Sequence, residues 1–275
     1  MIYDHVSINL LHDELLAREI ILADETTLQV LREAGRAAQT DSWLWCYRSG
    51  QGPPIILFEY TETRAGKHPQ AYLDGFSGYL LTDGLSAYDQ VGTTTTRPTL
   101  VGCWSHARRY FHDLVKARPK AAPPGLADEA LTYIGALFHL ERCWTEVTAA
   151  PRRALRQRHS ALIVEKFKAW LERYLPATAP KTLLGKAIRY TLRFWPRLVR
   201  YLEDGRLPMS NNRTEQAIKK VVIGRKNFLF AYSPAGAHAL ANLYALVETA
   251  QANGWDSGAY LTQVFTRLPH ATTVS

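Results

Sequence analysis

The spacing of apolar residues changes character once along this chain, near residue 105, and that change restricts the folds open to it. Upstream lie short runs rich in β-branched and aromatic residues: EIILADETTLQVL (19–31), DSWLWCYRSG (41–50) and PPIILFEYTETR (53–64). Polar or Gly/Pro turns separate them, GQGPP among these, so each reads as a strand. KHPQAYLDGF (67–76) has helical spacing and a glycine near its end. GYLLTDG (78–84) and RPTLVGCW (97–104) then read as two further strands. Downstream, apolar residues recur at intervals of three and four in SHARRYFHDLVKA (105–117), ADEALTYIGALFHLERCWTEV (127–147), PRRALRQRHSALIVEKFKAWLERYL (151–175) and TLLGKAIRYTLRFWPRLVRYLEDG (182–205), the signature of amphipathic helices.

Three strands, a helix and more strands predict an α/β fold with a mixed sheet and flanking helices. The helical block 118–205 reads as a large insertion, bounded by RPKAAPPG (118–125) and the EDGRLP turn (203–208). The expected division is therefore 1–117 for the first part of the sheet domain, 118–205 for the insertion, 206–250 for the completion of the domain, and 251–275 for a short C-terminal segment.

Charge follows the same division. Residues 1–100 hold 7 Lys/Arg against 13 Asp/Glu, whereas 151–200 alone hold 13 against 2, in a chain of net charge +8. A basic surface on part of a protein suggests a polyanion, nucleic acid above all, with a solvated helical surface as the alternative. Arg152, Arg153, Arg156 and Arg158 are expected to form a broad basic rim of the kind that guides nucleic acid. No apolar run approaches the roughly 18 residues that cross a bilayer. The start of the chain lacks a basic n-region, so it does not read as a secretory signal. Cys46, Cys103 and Cys143 lie far apart, against a disulfide framework or a zinc site, and fit a reducing cytoplasm.

Two hydrophobic runs share an unusual ending: IILAD stops at Asp24 and GYLLTD at Asp83. A carboxylate at the tip of a buried strand is unfavourable unless a cation meets it, and Mg2+ is held by just one or two carboxylates with water and phosphate. The alternative is an ordinary turn or capping aspartate. Glu25 should point to the opposite face from Asp24 and be solvated. Glu215 heads a helix whose buried stripe includes Ala217, Ile218, Val221 and Val222. It lies on the margin of that stripe, as a ligand delivered from a helix would, while Lys220 points away. Asn212–Glu215 also reads as a capping box, with Asn212 as N-cap.

The order strand Asp, strand Asp, helix Glu resembles the ribonuclease-H-like fold of DDE transposases and integrases. ADETTLQV (23–30), GYLLTDGLSAY (78–88), GCWSHARRYF (102–111) and SNNRTEQAIKKVVIGRKNFLFAYS (210–233) resemble, in order, the signature blocks of the insertion sequence 66 family of bacterial transposases. QANGWDSGAYLTQVFTRLP (251–269) is similar to that family's C-terminal segment. The resemblance implies that Asp24, Asp83 and Glu215 are the catalytic acids and hold two Mg2+ ions, Mn2+ being a substitute. It implies DNA as partner, both element ends and target, with a homo-oligomer on DNA, accessory proteins of the same element, and a nucleoid-associated place in the bacterial cytoplasm. Phosphate contacts fall to Arg108, Arg109, Arg213, Lys219, Lys220, Arg225 and Lys226, and His106 supports an acid or phosphate. Ser105 is alternatively the cap of the helix that carries His106, Arg108 and Arg109. Members of the family usually carry a substantial region before the first aspartate, whereas about twenty residues precede Asp24 here. Either a truncated copy or an isolated catalytic portion is implied. A ribonuclease-H-like nuclease without strand transfer and a non-catalytic DNA-binding remnant stay open beside the transposase reading.

Overall fold

The computed structural model describes residues 2–92, 96–119 and 121–267, with side chains from Ile8 onward. Lys120, in the expected first hinge, and residues 268–275, at the end of the C-terminal segment, lie outside the described residues. The chain forms two compact units, one of residues 1–99 with 211–275, the other of residues 100–210.

The first unit opens with α1 (Ile2–Leu16) and continues through β1 (Ile20–Gln29), β2 (Asp41–Ser49), β3 (Ile56–Thr61), α2 (Lys67–Tyr72), β4 (Tyr79–Thr82) and a 3-10 turn (Ser86–Gln90). β5 (Thr99–Gly102) carries the chain into the second unit. The sheet is mixed, in the order β3-β2-β1-β4-β5. β1, β2 and β3 are antiparallel neighbours, and β4 lies parallel to β1. The strand reading of the sequence stands, because each run is bounded by a turn and filled with side chains that favour a pleated, buried surface.

Register determines what each face of this sheet carries. Asp24, Cys46 and Phe58 form one cross-strand row, and Glu25, Trp45 and Glu59 the next. Neighbouring rows face opposite sides. After the chain re-enters this unit it forms α9 (Asn212–Phe228), α10 (Pro234–Ala252) and α11 (Ser257–Arg267). The Phe58 ring meets Tyr244 of α10 edge-on at 6.1 Å, so the Asp24 row faces α9 and α10. On the other face Tyr47 stacks on Tyr72 of α2 at 4.2 Å, and Trp45 meets Tyr88 edge-on. α9 buries Thr214, Ala217, Ile218 and Val221, while Val222 is half-buried. Gly224 lets α9 approach α10 closely, since a Cβ there would sit 2.2 Å from the Tyr244 hydroxyl.

The second unit is helical: α3 (Trp104–Ala117), α4 (Leu126–Cys143), α5 (Ala149–Leu155), α6 (Ala161–Tyr174), α7 (Leu183–Arg193) and α8 (Trp195–Leu198). A π-helical turn (Arg156–Ser160) joins α5 to α6, and a 3-10 turn (Val199–Leu202) follows α8. α3 starts one residue before Ser105, with Cys103 at the N-cap, so Ser105 is not the cap. Trp104, Phe111, Phe167 and Trp195 form an aromatic core, and the Trp104 indole N–H donates to the Leu198 carbonyl at 2.8 Å.

Arg156 departs from the expected basic rim. It is 1 % exposed, pairs with both oxygens of Glu141, and donates to the carbonyls of Tyr201, Asp204 and Leu207. Five donors on a planar fork satisfy that many acceptors at once, which is why an arginine tolerates this place. Arg152 also turns inward, to the carbonyls of Thr145, Val147 and Gly205. Arg153 and Arg158 remain exposed.

Candidate active site

The parallel pairing of β1 and β4 brings the two aspartates together. Leu22 pairs with Leu81, and Asp24 and Asp83 each lie two residues further on, hence on the same side of adjacent strands. Asp83 follows the last residue of β4, and its carboxylate accepts the Leu85 N–H at 2.8 Å. Asp24 is not at a strand tip, because β1 runs on for five residues to Gln29. Its carboxylate accepts the Glu25 N–H at 2.9 Å.

Glu25 keeps the face opposite Asp24 that alternation assigns it, in the row with Trp45 and Glu59, but that face is covered here rather than open to solvent. It is buried rather than solvated, with its side chain 1 % exposed. Oxygens of Asp24, Glu25 and Asp83 all lie within 4.8 Å of one another. Arg64 pairs with Glu25 Oε1 and the Tyr88 hydroxyl donates to Oε2 at 2.9 Å. Those partners are 39 and 63 residues away along the chain, and no local pattern signals them.

Glu215 sits half-buried in the first turn of α9. The helix starts one residue earlier than a cap at Asn212 requires: Asn211 is the N-cap, and its carbonyl accepts the Glu215 N–H at 3.1 Å. No side-chain cap forms, so the capping-box role expected of Asn212 is absent. The Asn211 amide instead donates to the Ala23 carbonyl at 2.9 Å, tying the head of α9 to the residue before Asp24. Glu215 is thereby held near enough for its charge to act on Asp24, outside the 4.8 Å cluster.

Electrostatics follow from this crowding. Burial pushes the Asp24 carboxyl up to about 8, with Glu25, Asp83 and Glu215 adding repulsion and the Glu25 N–H opposing it. Burial and Asp83 also raise Glu25, against the pull of Arg64 and Tyr88. Such a group of acids binds protons or cations more tightly than any one alone. The donors are all carboxylate oxygens, the set that hard Mg2+ and Mn2+ ions prefer, so the residues present fit such ions.

The basic residues divide into two groups. Lys219, Lys226 and Arg213 are exposed on α9. Lys220 pairs with buried Glu248 at 2.7 Å and donates to Gln251, and Arg225 donates to the carbonyl and hydroxyl of Thr27. Those two cations hold α9 to α10 and to β1. In the second unit, Arg108 and Arg109 are exposed on α3, and His106 is half-buried with its Nε2 3.4 Å from Arg109.

Residues 6–239 match the family described as Transposase IS66 family, and residues 245–275 match the IS66 C-terminal element. The chain is 35% identical over 281 residues to the uncharacterized protein y4qI of Sinorhizobium fredii (strain NBRC 101917 / NGR234), covering 95% of this chain and 50% of that protein. It is 31% identical over 278 residues to the uncharacterized protein y4jD of the same strain, covering 96% of this chain and 53% of that one. The chain thus spans about half the length of the curated relatives it matches. No solved structure matches it.

Proposed function

The chain belongs to the IS66 family of transposases, and from that premise we propose that it is a DDE-type catalytic region, cutting phosphodiesters at element ends and joining them to target DNA. The observation that carries the proposal is the cluster of Asp24, Glu25 and Asp83 within 4.8 Å, with Glu215 delivered beside it from α9. Support for a ribonuclease-H-like sheet comes from three antiparallel strands followed by a parallel fourth beside the first.

Asp24, Asp83 and Glu215 would hold two Mg2+ ions, or Mn2+, with Glu25 adjoining. Bound there, the ions supply Lewis acidity at the attacking and leaving oxygens of an in-line displacement. Arg64 and Tyr88 fix Glu25, so the repulsion in the cluster bears on Asp24. Asn211 keeps Glu215 against β1. Arg213, Lys219 and Lys226, with Arg108 and Arg109, neutralise backbone phosphates and position the strand, and His106 orients an acid or phosphate. Water attacks first and releases a 3′-hydroxyl, which then attacks a target phosphate. In this reading residues 118–205 are a helical insertion, the protein works as a homo-oligomer on DNA with accessory proteins of its element, and its place is the bacterial nucleoid. No helix among the described residues is long and apolar enough to cross a membrane.

The test is incubation with labelled element ends, a target plasmid and Mg2+, beside Asp83→Ala. Cleavage and joined product that vanish in the variant support the proposal. Cleavage without joining identifies a nuclease, and binding without cleavage a remnant. No binding to DNA at all refutes all three.

A further inference from the structure

The chain passes from α9 to α10 through Leu229–Ser233, and its backbone there is strained. Leu229 has φ 64° and ψ −55°, the one non-glycine residue with positive φ among those described. The Phe230 N–H donates to the Phe228 carbonyl at 2.8 Å, which closes the less stable form of γ-turn around Leu229. A branched side chain in that conformation persists only where its surroundings over-determine it, and such positions concentrate at functional sites.

The surroundings do over-determine it. Ala231 N–H donates to Gln29 O, Leu31 N–H to Ala231 O and Arg32 N–H to Tyr232 O, all at 2.9–3.1 Å, so the segment runs parallel to the end of β1. Arg225 reaches Thr27 on the same strand, and Ser233 caps α10 by accepting the Gly236 N–H. Pinned at both ends, the turn still presents its apolar side chains to solvent: Leu229 is 60 % exposed, Phe230 39 % and Tyr232 55 %.

The charge around these residues is positive. The Arg32 guanidinium lies 4.4 Å over the Tyr232 ring, and Lys226 is exposed on the preceding helical turn. The neighbouring acid, Glu33, is buried and occupied by Arg36, Ser42 and Tyr60. Exposed aromatic rings beside cations are what single-stranded or unstacked bases recognise, the rings stacking and the cations meeting phosphate. Apolar side chains such as leucine also wedge between base steps. β1 sets the distance: from Asp24 to Val30 is six residues, roughly 20 Å of strand.

From this we propose that Leu229, Phe230 and Tyr232 form a rigid prong that stacks on unstacked bases of the DNA held at the acid cluster, at most about six nucleotides from the reacting phosphate, the count at the roughly 3.4 Å per step of a fully stacked strand. The inference rests on the transposase reading, yet its test needs no catalysis. The probe is a duplex with a single-stranded 3′ overhang carrying 2-aminopurine at successive positions, titrated with the full chain in EDTA. Binding is read by anisotropy, stacking by 2-aminopurine emission, and folding by thermal melting. Wild type is expected to change the emission at one position or two. Phe230→Ala with Tyr232→Ala should abolish that change and weaken binding by about 5- to 160-fold, the range for loss of one stacked base. Lys219→Ala should weaken binding and keep the emission change. Leu229→Gly should raise the melting temperature while lowering affinity, a combination that a purely structural turn does not give. Wild-type emission and affinity in the double variant would overturn the inference, as would a change in light-scattering mass with affinity unaltered, which marks a self-association face. A wild-type chain that binds no probe refutes the transposase reading itself; one that binds with silent 2-aminopurine at every position refutes the prong alone.

Discussion

Glu59→Gln should make the protein more stable, by an amount that depends on pH. Glu59 lies in the row with Trp45, where burial pushes its carboxyl from 4.5 up to about 8 and the Tyr47 hydroxyl, 3.3 Å away, opposes the shift only in part. Below pH 4.5 the acid is protonated in both folded and unfolded chains and contributes no pH dependence. Between 4.5 and 8 the unfolded chain releases the proton and the folded one retains it, so stability falls as pH rises. Above 8 both are ionised and the loss stops growing. At 1.36 kcal/mol per pH unit, the loss at pH 7 is at most about 3 kcal/mol, and water penetration reduces it to about 2. Glutamine keeps the carbonyl that accepts from Tyr47 and removes the ionisation. Its extra amide donor lowers the gain at every pH alike, so the slope is the decisive quantity. A gain of about 2 kcal/mol raises the melting temperature by roughly 4–8 °C for a unit of this size. The assay is thermal or urea denaturation of wild type and variant from pH 4 to 9 in EDTA. Equal differences at pH 4.5 and pH 8 would refute the reasoning, since only packing would then have changed. Addition of Mg2+ should shift both proteins alike, because Trp45 stands between Glu59 and Glu25 in the row.

The acid cluster should behave in the opposite way toward metal. Asp24→Asn is expected to melt higher than wild type in EDTA and to lose the rise that Mg2+ gives the wild type; an undiminished rise would remove Asp24 from the ion site. On α9, Lys219→Ala should weaken DNA binding several-fold and flatten its salt dependence by about one phosphate contact. Lys220→Ala should chiefly lower stability, as it leaves buried Glu248 without its cation; the reverse pattern in anisotropy and melting would refute the division. Arg156→Ala should destabilise the second unit by roughly 3–5 kcal/mol, because Glu141 and the carbonyls of Tyr201, Asp204 and Leu207 lose their donor. Urea denaturation checks it, and a loss below about 1 kcal/mol would contradict the burial argument.

The strands and helices were legible because apolar period is a local property of the chain. The juxtaposition of Asp24 and Asp83 was legible at one remove, since two buried runs ending in acid make sense as neighbouring strands. Glu25 was not. Alternation gave its side of the sheet but not the cover over that side, and only Arg64 and Tyr88, brought from far along the chain, make its burial tolerable. Arg156 failed for the same reason: an arginine-rich stretch reads as surface until its carbonyl partners are known. On α9, helical angle tells that Lys220 points away from the buried stripe, but not that Glu248 waits on α10.

The bond from Asn211 to Ala23 joins residues 188 apart in sequence, and this separation has a consequence in time. At roughly 5–20 residues per second, a ribosome needs about 10–40 s between making Ala23 and making its partner. During that interval β1 to β4 can pair, and Asp24, Glu25 and Asp83 can gather. Glu215, however, does not yet exist. The loop that brings it back is long, but closure entropy grows only with the logarithm of loop length, so the delay comes from synthesis rather than from thermodynamics. A nascent or prematurely terminated chain therefore carries an incomplete set of acids. For a protein proposed to cut DNA, the order of its residues acts as a safety interlock, because the blade is assembled last.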